Sequence, residues 1–235
     1  MKKDYTDLCK IEPWVPEENG EGHIELIISE MHSGKTTELQ RRLVRYELAQ
    51  RKVMAIKYAG DTRYSITDMA THDKRFYKAH STNLLAKVLD IAMRYDVIGI
   101  DEGNFLADCL PFAEHLANRG KIVIIAALNG TFMRTPFPPA PYKTMEDVNI
   151  AEFDKTVQDN DGNLPFFGDI NGLVSKAEYV VKLHSVCMHC YGEGSFTARI
   201  SDSNNIQDIG GQDKYTSTCR KCHWRLSKEK TQSKK

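Results

Sequence analysis

Ile24-Glu25-Leu26-Ile27-Ile28-Ser29-Glu30-Met31-His32-Ser33-Gly34-Lys35-Thr36 runs from an apolar strand into Ser-Gly-Lys-Thr, and its reading decides the fold. A strand that delivers Gly-Lys-Thr to a helix start suits phosphate binding, because backbone N–H groups and the positive helix end attract anions. Gly34 lets the chain approach the phosphates, Lys35 reaches the β and γ groups, and the Thr36 hydroxyl faces Mg²⁺. The candidate phosphate loop is Ser29, Glu30, Met31, His32, Ser33, Gly34, Lys35, Thr36 and Thr37. It departs from G-x-x-x-x-G-K-[ST] only at Ser29, which stands in place of the first glycine. From Thr37 to Gln50, Leu39, Leu43 and Tyr46 recur at helical spacing while Glu38, Arg41, Arg42 and Arg45 take other faces, so a helix follows.

Outward from this stretch, Val53–Ile56, Val97–Ile100 and Ile122–Ala127 read as buried strands. Helical periodicity covers Leu84–Met93 and Leu110–Arg119, the second closed by Gly120. Helices alternating with strands apolar on both faces predict an α/β fold of the phosphate-loop NTPase kind, a parallel sheet flanked by helices. Residues 1–22 read as a polar, disordered lead-in, and the phosphate-loop domain spans 23–183. Pro136, Pro138, Pro139 and Pro141 oppose regular structure, so 138–167 is expected to be an inserted loop. Tyr179–Leu183 resumes a strand leading into a small cysteine module over 184–228, and the lysine-rich residues 229–235 read as a solvated, disordered tail.

A second constellation closes the strand Ile98-Gly99-Ile100, where Asp101 and Glu102 put adjacent carboxylates at the carboxyl end of a parallel strand. Ligands bind at that edge in open α/β sheets. Asp101 suits the acid that faces loop-bound Mg²⁺. Glu102 points elsewhere, placed to take a proton from an acceptor hydroxyl or to orient a water.

Of six cysteines, four stand as Cys187-x-x-Cys190 and Cys219-x-x-Cys222, a ligand set for structural zinc. Cys9 and Cys109 read as reduced thiols, and His189 and His223 as surface histidines, since the two pairs already complete a tetrahedral set. The gap between the pairs, residues 191–218, exceeds the ~15–20 residues of a simple ribbon, so the intervening segment has a further task. Balance between 32 basic and 32 acidic residues removes a bulk attraction to nucleic acid. No apolar run approaches the ~20 residues of a membrane span, and the amino end has no apolar signal core, so a cytoplasmic protein with no membrane partner is expected.

Six motifs in fixed order carry a resemblance: M-x-S-G-K-T-T-E-L from Met31, I-K-Y-A-x-D-T-R-Y from Ile56, I-G-I-D-E-G-x-F from Ile98, A-A-L-x-G-T-F-x-R-x-P-F from Ala126, V-C-M-x-C from Val186 and I-G-G-x-D-K-Y-x-S-x-C-R-x-C from Ile209. Over about His23 to Arg225 the chain resembles the type II thymidine kinases, cytosolic deoxynucleoside kinases with a zinc-bound lasso. The resemblance implies transfer of the ATP γ-phosphate to the 5′-hydroxyl of thymidine, with Glu102 as catalytic base and Lys35, Thr36 and Asp101 around the phosphates and Mg²⁺. It implies Asp61 and Arg63 as polar lining, and Met31, Phe105, Leu128 and Phe132 as apolar walls around thymine. Thr197, Ile206, Ile209, Gly210, Gly211 and Tyr215 fall in or beside the lasso, whose backbone grips the base. A homotetramer and feedback inhibition by thymidine triphosphate are implied too.

Three departures carry expectations of their own. Ser29-Glu30 replaces the family's usual Gly-Pro, which predicts strain of about 1 kcal/mol if Ser29 takes a positive φ, and a negative charge near the phosphates. Weaker ATP affinity would follow. Asn129 stands where the family often has Asp, and the segment around Pro138–Phe166 is an insertion that bears on oligomer contacts. The residues leave open a broader deoxynucleoside kinase, a phosphate-loop ATPase whose zinc ribbon binds nucleic acid, and a nucleotide binder without catalysis.

Overall fold

Strand β1 (His23–Ser29) is buried along most of its length, with Ile24, Leu26 and Ile27 on its two faces. A strand with no polar face sits inside a sheet covered on both sides. The structure, a computed structural model, describes residues 22–61, 68–70, 76–160, 163–203 and 205–233. The amino-terminal lead-in before Gly22, together with Cys9, lies outside the described residues, as does Arg63.

After β1 come helix α1 (Lys35–Leu48), strand β2 (Val53–Tyr58), a hairpin of β3 (Asp68–Ala70) and β4 (Phe76–Lys78), and short β5 (His80–Thr82). A 3₁₀ turn over Leu85–Val88, α2 (Leu89–Ala92), β6 (Val97–Asp101), α3 (Cys109–Ala117) and β7 (Ile122–Leu128) follow. The domain finishes with α4 (Ile150–Asp159), α5 (Ile170–Val174) and β8 (Tyr179–Lys182). The main sheet has the order β5-β2-β6-β7-β1-β8, and its neighbours pair in parallel.

One face of the sheet is covered by α1, whose Leu39 and Leu43 pack with Ile27, Ala55, Val97, Ile124 and Ala126. Burying each leucine contributes roughly 1.5–3 kcal/mol. The approach is close enough to dictate a residue type: a Cβ on Gly99 would lie 2.6 Å from Leu43 Cδ1. The opposite face carries the larger core, where Phe112 and Leu116 of α3 and Leu173 of α5 meet Leu26, Ile98, Ile100, Val123 and Ile125.

Periodicity over Leu84–Met93 predicts one helix, and the structure instead has the 3₁₀ turn followed by one turn of α2. The buried Asp108 carboxylate accepts from the N–H groups of Leu85 (3.0 Å) and Ala86 (2.7 Å), pinning the turn from outside the segment. That anchor is invisible to local pattern.

Residues 138–167, expected as a loop without regular structure, hold a 3₁₀ turn over Met145–Asp147 and the helix α4. The prolines restrict only the entry. Beyond them Thr144 and Asp147 form a capping box, Asn149 caps α4 by accepting from Glu152 N at 3.1 Å, and Phe153 is buried in the core. The excursion leaves and returns at one place, where Phe167 N donates to Pro138 O and Ala140 N to Phe167 O, both at 2.9 Å.

The cysteine module adds two antiparallel pairs, β9 (Ser185–Val186) with β10 (Glu193–Gly194) and β11 (Phe196–Arg199) with β12 (Tyr215–Thr218), then helix α6 (Arg220–Ser233). The tail expected to be disordered is helical through Ser233, and Lys230 Nζ donates to Ser201 O at 2.7 Å. Basic side chains near a helix carboxyl end favour continuation, which a count of lysines misses. Among the described residues, no helix is long and apolar enough to cross a membrane.

Candidate functional site

The phosphate loop turns from β1 into α1 through two left-handed residues, His32 (φ 61°) and Gly34 (φ 83°). Nothing lies within 4 Å of where a Gly34 Cβ would stand, so glycine is required there by backbone conformation and not by space. Ser29 is not among the residues with positive φ, and the strain expected from the missing glycine does not arise. Nor does Glu30 bring its charge toward the phosphates: it is 1% exposed, its Oε1 accepts from Ser185 N at 2.6 Å, and its Oε2 meets Ser29 Oγ at 2.7 Å.

At the head of α1, Thr36 Oγ1 lies 3.2 and 3.1 Å from the two Asp101 oxygens. Lys35 Nζ donates to the main-chain oxygen of Glu30 at 2.7 Å. Burial, followed by the Glu102 and Asp61 carboxylates, pushes Asp101 up to about 7 against the opposing pull of Thr36 and Lys35. A hydroxyl, a buried carboxylate and two neighbouring carboxylates form a hard-oxygen set that fits Mg²⁺. Glu102 sits at φ 55°, ψ 40°, a conformation that costs a non-glycine residue ~1–3 kcal/mol and is concentrated at functional sites. The turn takes its side chain off the line of the strand and into the cleft, beside Asp101.

The apolar side begins at Phe105, whose ring stacks on Tyr58 with centroids 5.3 Å apart and is backed by Phe137 at 6.4 Å and Phe167 at 6.1 Å. Leu128 and Phe132 continue that wall, and Asn104 Oδ1 accepts from Leu128 N at 2.8 Å to fix its edge. Opposite, the β11–β12 hairpin carries a long loop organised by Arg199, which is 5% exposed. Arg199 donates to the backbone oxygens of Ser203 (3.1 Å), Asn205 and Ile206 (3.3 Å) and to Tyr215 Oη (2.5 Å), and lies 4.0 Å over the Phe132 ring. Tyr215 Oη passes the chain on to Asp208 O at 2.7 Å. Gln207 latches the same loop to the domain, donating to Tyr58 Oη at 3.2 Å and accepting from Leu164 N at 2.7 Å.

The ligand sulfurs of Cys187, Cys190, Cys219 and Cys222 lie within 4.8 Å of one another, with Cys190 and Cys219 3.8 Å apart. A tetrahedron with Zn–S of about 2.3 Å has edges of about 3.8 Å, so the four are placed to hold a metal such as zinc. Cys109 is buried apart from them, and burial pushes its thiol pKa up. His189 is exposed, as expected, but His223 is not a surface residue: it is buried, and its Nε2 lies 3.0 Å from Phe132 O. It therefore ties the cysteine module to the apolar wall.

The phosphate loop, the acid pair, the apolar wall and the loop carried by the β11–β12 hairpin face one cleft of about 1020 Å³, the open space at its mouth included. Of the residues expected from sequence, Met31, His32, Ser33, Gly34, Lys35, Thr36, Thr37, Asp61, Asp101, Glu102, Phe105, Leu128, Phe132, Thr197, Ile206, Ile209, Gly210 and Tyr215 line it. Ser29, Glu30 and Gly211 do not line that cleft. Gly130, Thr131, Phe137 and Asp208 line it without having been foreseen, though Gly130, Thr131 and Phe137 stand inside the motif that begins at Ala126. Arg199 and Gln207, one step behind the wall, carry no local signal.

A parallel sheet with this loop at the end of β1, an acid pair two strands away at the end of β6 and a cysteine-tethered flap opposite defines an α/β protein of the phosphate-loop kind with a cleft at the carboxyl ends of its strands. The thymidine kinase family model matches residues 22–143 and 156–223, and the chain belongs to the thymidine kinase family. The thymidine kinase of raccoon poxvirus is 44% identical over 202 residues, covering 86% of this chain and 97% of the viral protein. Thymidine kinase 1 of Dictyostelium discoideum is 46% identical over 206 residues, 86% of this chain and 78% of its own length. The family match breaks at 144–155, inside the segment expected as an insertion.

Proposed function

We propose that this protein is a thymidine kinase, transferring the γ-phosphoryl group of ATP to the 5′-hydroxyl of thymidine to give thymidine monophosphate and ADP. The observation that carries the reading is that Thr36, Asp101 and Glu102 share one cleft with the loop bearing Ile206, Ile209 and Gly210. Glu102 takes the proton of the 5′-hydroxyl as its oxygen bonds the γ-phosphorus and the bond to the β-bridging oxygen breaks. Lys35 leaves the Glu30 carbonyl for the phosphates, and the amides of Met31 to Thr37 fix their oxygens. Thr36 and Asp101 would hold Mg²⁺, which when bound neutralises phosphate charge. Met31, Phe105, Leu128 and Phe132 face the base, Asp61 the polar part of the nucleoside, and backbone groups of Ile206, Ile209 and Gly210 its hydrogen-bonding edge, with Gly211 shaping the turn behind them.

Cys187, Cys190, Cys219 and Cys222 would hold zinc, which when bound ties the ends of this lasso. The flap folds over the cleft, which supports substrate closure over a free-standing nucleic-acid-binding ribbon. A cytoplasmic homotetramer, inhibited by thymidine triphosphate in the ATP and thymidine compartments together, completes the proposal.

Purified protein with ATP, Mg²⁺ and thymidine is expected to yield thymidine monophosphate, and a panel with deoxyuridine and deoxycytidine measures its selectivity. Absence of product with every nucleoside, or a Glu102→Gln variant as active as the parent, overturns the reading.

A further inference from the structure

The phosphate loop is gripped by both strand pairs of the cysteine module and by Leu183 just before it. Ser29 Oγ lies 2.5 Å from Leu183 O, Glu30 Oε1 accepts from Ser185 N at 2.6 Å, Met31 N donates to Thr197 Oγ1 at 3.0 Å, and Ser217 Oγ donates to Met31 O at 2.8 Å. Ser185 stands two residues before Cys187, and Ser217 two before Cys219. Each half of the cysteine tetrad therefore places one anchor on the loop. Glu30 works at both ends of itself. Its carboxylate holds Ser185 and Ser29, while its carbonyl oxygen accepts from Ser33 Oγ at 2.9 Å and Lys35 Nζ at 2.7 Å.

We propose that Glu30 is a positioning residue that couples the cysteine module to the phosphate loop, so that order in the tetrad sets nucleotide affinity and bound nucleotide in turn holds the tetrad together. This rests on the reading of the loop as the ATP site. A shift of one side chain by a peptide's width moves the carbonyl from which Lys35 departs, and loop amides lose their shared aim at the phosphates. Coupling between two binding sites is reciprocal, so both directions are measurable.

The contacts are specific in geometry more than in charge. In Glu30→Gln the amide oxygen still accepts from Ser185 N, and the amide NH₂ donates to Ser29 Oγ, whose own proton goes to Leu183 O. Glu30→Asp keeps the charge but is one methylene too short, and Glu30→Ala leaves the Ser185 N–H without its acceptor.

The test uses the full chain purified with Zn²⁺. Two quantities are read: the Kd of a fluorescent ATP analogue, and the rate at which a chromogenic chelator removes the metal with and without ATP. Glu30→Ala and Glu30→Asp are expected to weaken the analogue on the order of tenfold, with Glu30→Gln recovering most of it. ATP is expected to slow metal removal in the parent and in Glu30→Gln, and to leave it unchanged in Glu30→Ala and Glu30→Asp. Parent-like affinity in folded Glu30→Asp, failure of Glu30→Gln to recover affinity, or equal ATP protection of the metal in every variant overturns the proposal. Because neither readout needs turnover, a protein that binds ATP with this pattern yet phosphorylates no nucleoside loses the kinase reading and keeps the coupling; an active kinase indifferent to Glu30 does the reverse.

Discussion

The two compartments of the cleft are built in opposite ways. On the phosphate side, residues 29–37 and the pair at 101–102 are contiguous, and each lies at an element boundary where backbone conformation aims it: Gly34 at the head of α1 and Glu102 at the end of β6. On the nucleoside side, the wall is gathered from β7, the turn after it, and a loop whose shape depends on Arg199 and Gln207, with Tyr215 and Lys214, bonding to its backbone and its neighbours. The phosphate loop takes its turn from its own sequence and is tied to the cysteine module through Glu30 and Met31, whereas the assembled flap fails when one hub is lost.

The sharpest break concerns chemistry on the phosphate side. Glu102→Gln keeps the fold of the strand end but has no basic oxygen pair to receive the proton, and turnover is expected to fall about 10²–10⁴-fold with ATP affinity retained. Steady-state kinetics together with a direct ATP titration check this. Loss of ATP affinity instead would move Glu102 from proton transfer to phosphate binding.

Next in size is the hub of the flap. Arg199→Met fills similar space but strands the oxygens of Ser203, Asn205 and Ile206, and removal of a charged donor costs about 1.5–3 kcal/mol per bond lost without compensation. The expected outcome is a large rise in thymidine KM, ten- to hundredfold, with ATP affinity changed far less. Equal loss for both substrates would show that the compartments are not separable. Gln207→Ala probes the same contrast more gently, since it releases the loop only from Tyr58 and Leu164; a KM rise of about tenfold or less for thymidine is expected.

Why one side was legible in the sequence and the other was not follows from the same contrast. The strand, the Gly-Lys-Thr turn, α1, the acid pair and the cysteine pairs each announce themselves within a dozen residues, through periodicity, backbone demand or ligand spacing. Arg199 does not, because a lone arginine in a β-strand looks like a solvated charge until the rings of Phe132 and Tyr215 are found around it. His223 carries no local signal for the same reason, its partner Phe132 lying far away in sequence. Ser29 and Glu30 look like a defect of the motif, since a motif records what touches the phosphates and not the partners at Ser185 and Leu183. Helix α4 was missed because the prolines before it dominated the local composition while its cap and Phe153 lay beyond them.

The last effect tests the frame and not the cleft. Burial pushes Asp108 up to about 6 from an ordinary 3.8, against the stabilising N–H groups of Leu85 and Ala86 and the nearby Lys87. A raised carboxyl means that the folded state holds a proton the unfolded chain has released. The contribution is therefore complete below about pH 4 and fades as pH rises to about 6, a change of order 3 kcal/mol at most by the usual conversion. Denaturant melts from pH 4 to 7 are expected to show this fall in the parent and a flatter profile in Asp108→Asn. Identical slopes would mean that Asp108 stays ionised and is held by its two amides.

The contact between Pro139 and Phe167 closes the base of the α4 excursion like the neck of a purse. Beyond the neck, Phe153 and Leu164 anchor the excursion in the core and against Gln207, and between those anchors doubling a loop adds only about 0.6 kcal/mol. The family match breaks at 144–155, on the far side of that neck, while Phe105, Phe137 and Phe167 of the aromatic wall fall within the matched residues. For an engineer it marks a port at exposed Lys143, after the neck and before the Thr144 capping box: a tag spliced there leaves the Asn149 cap of α4 and Phe153 in place.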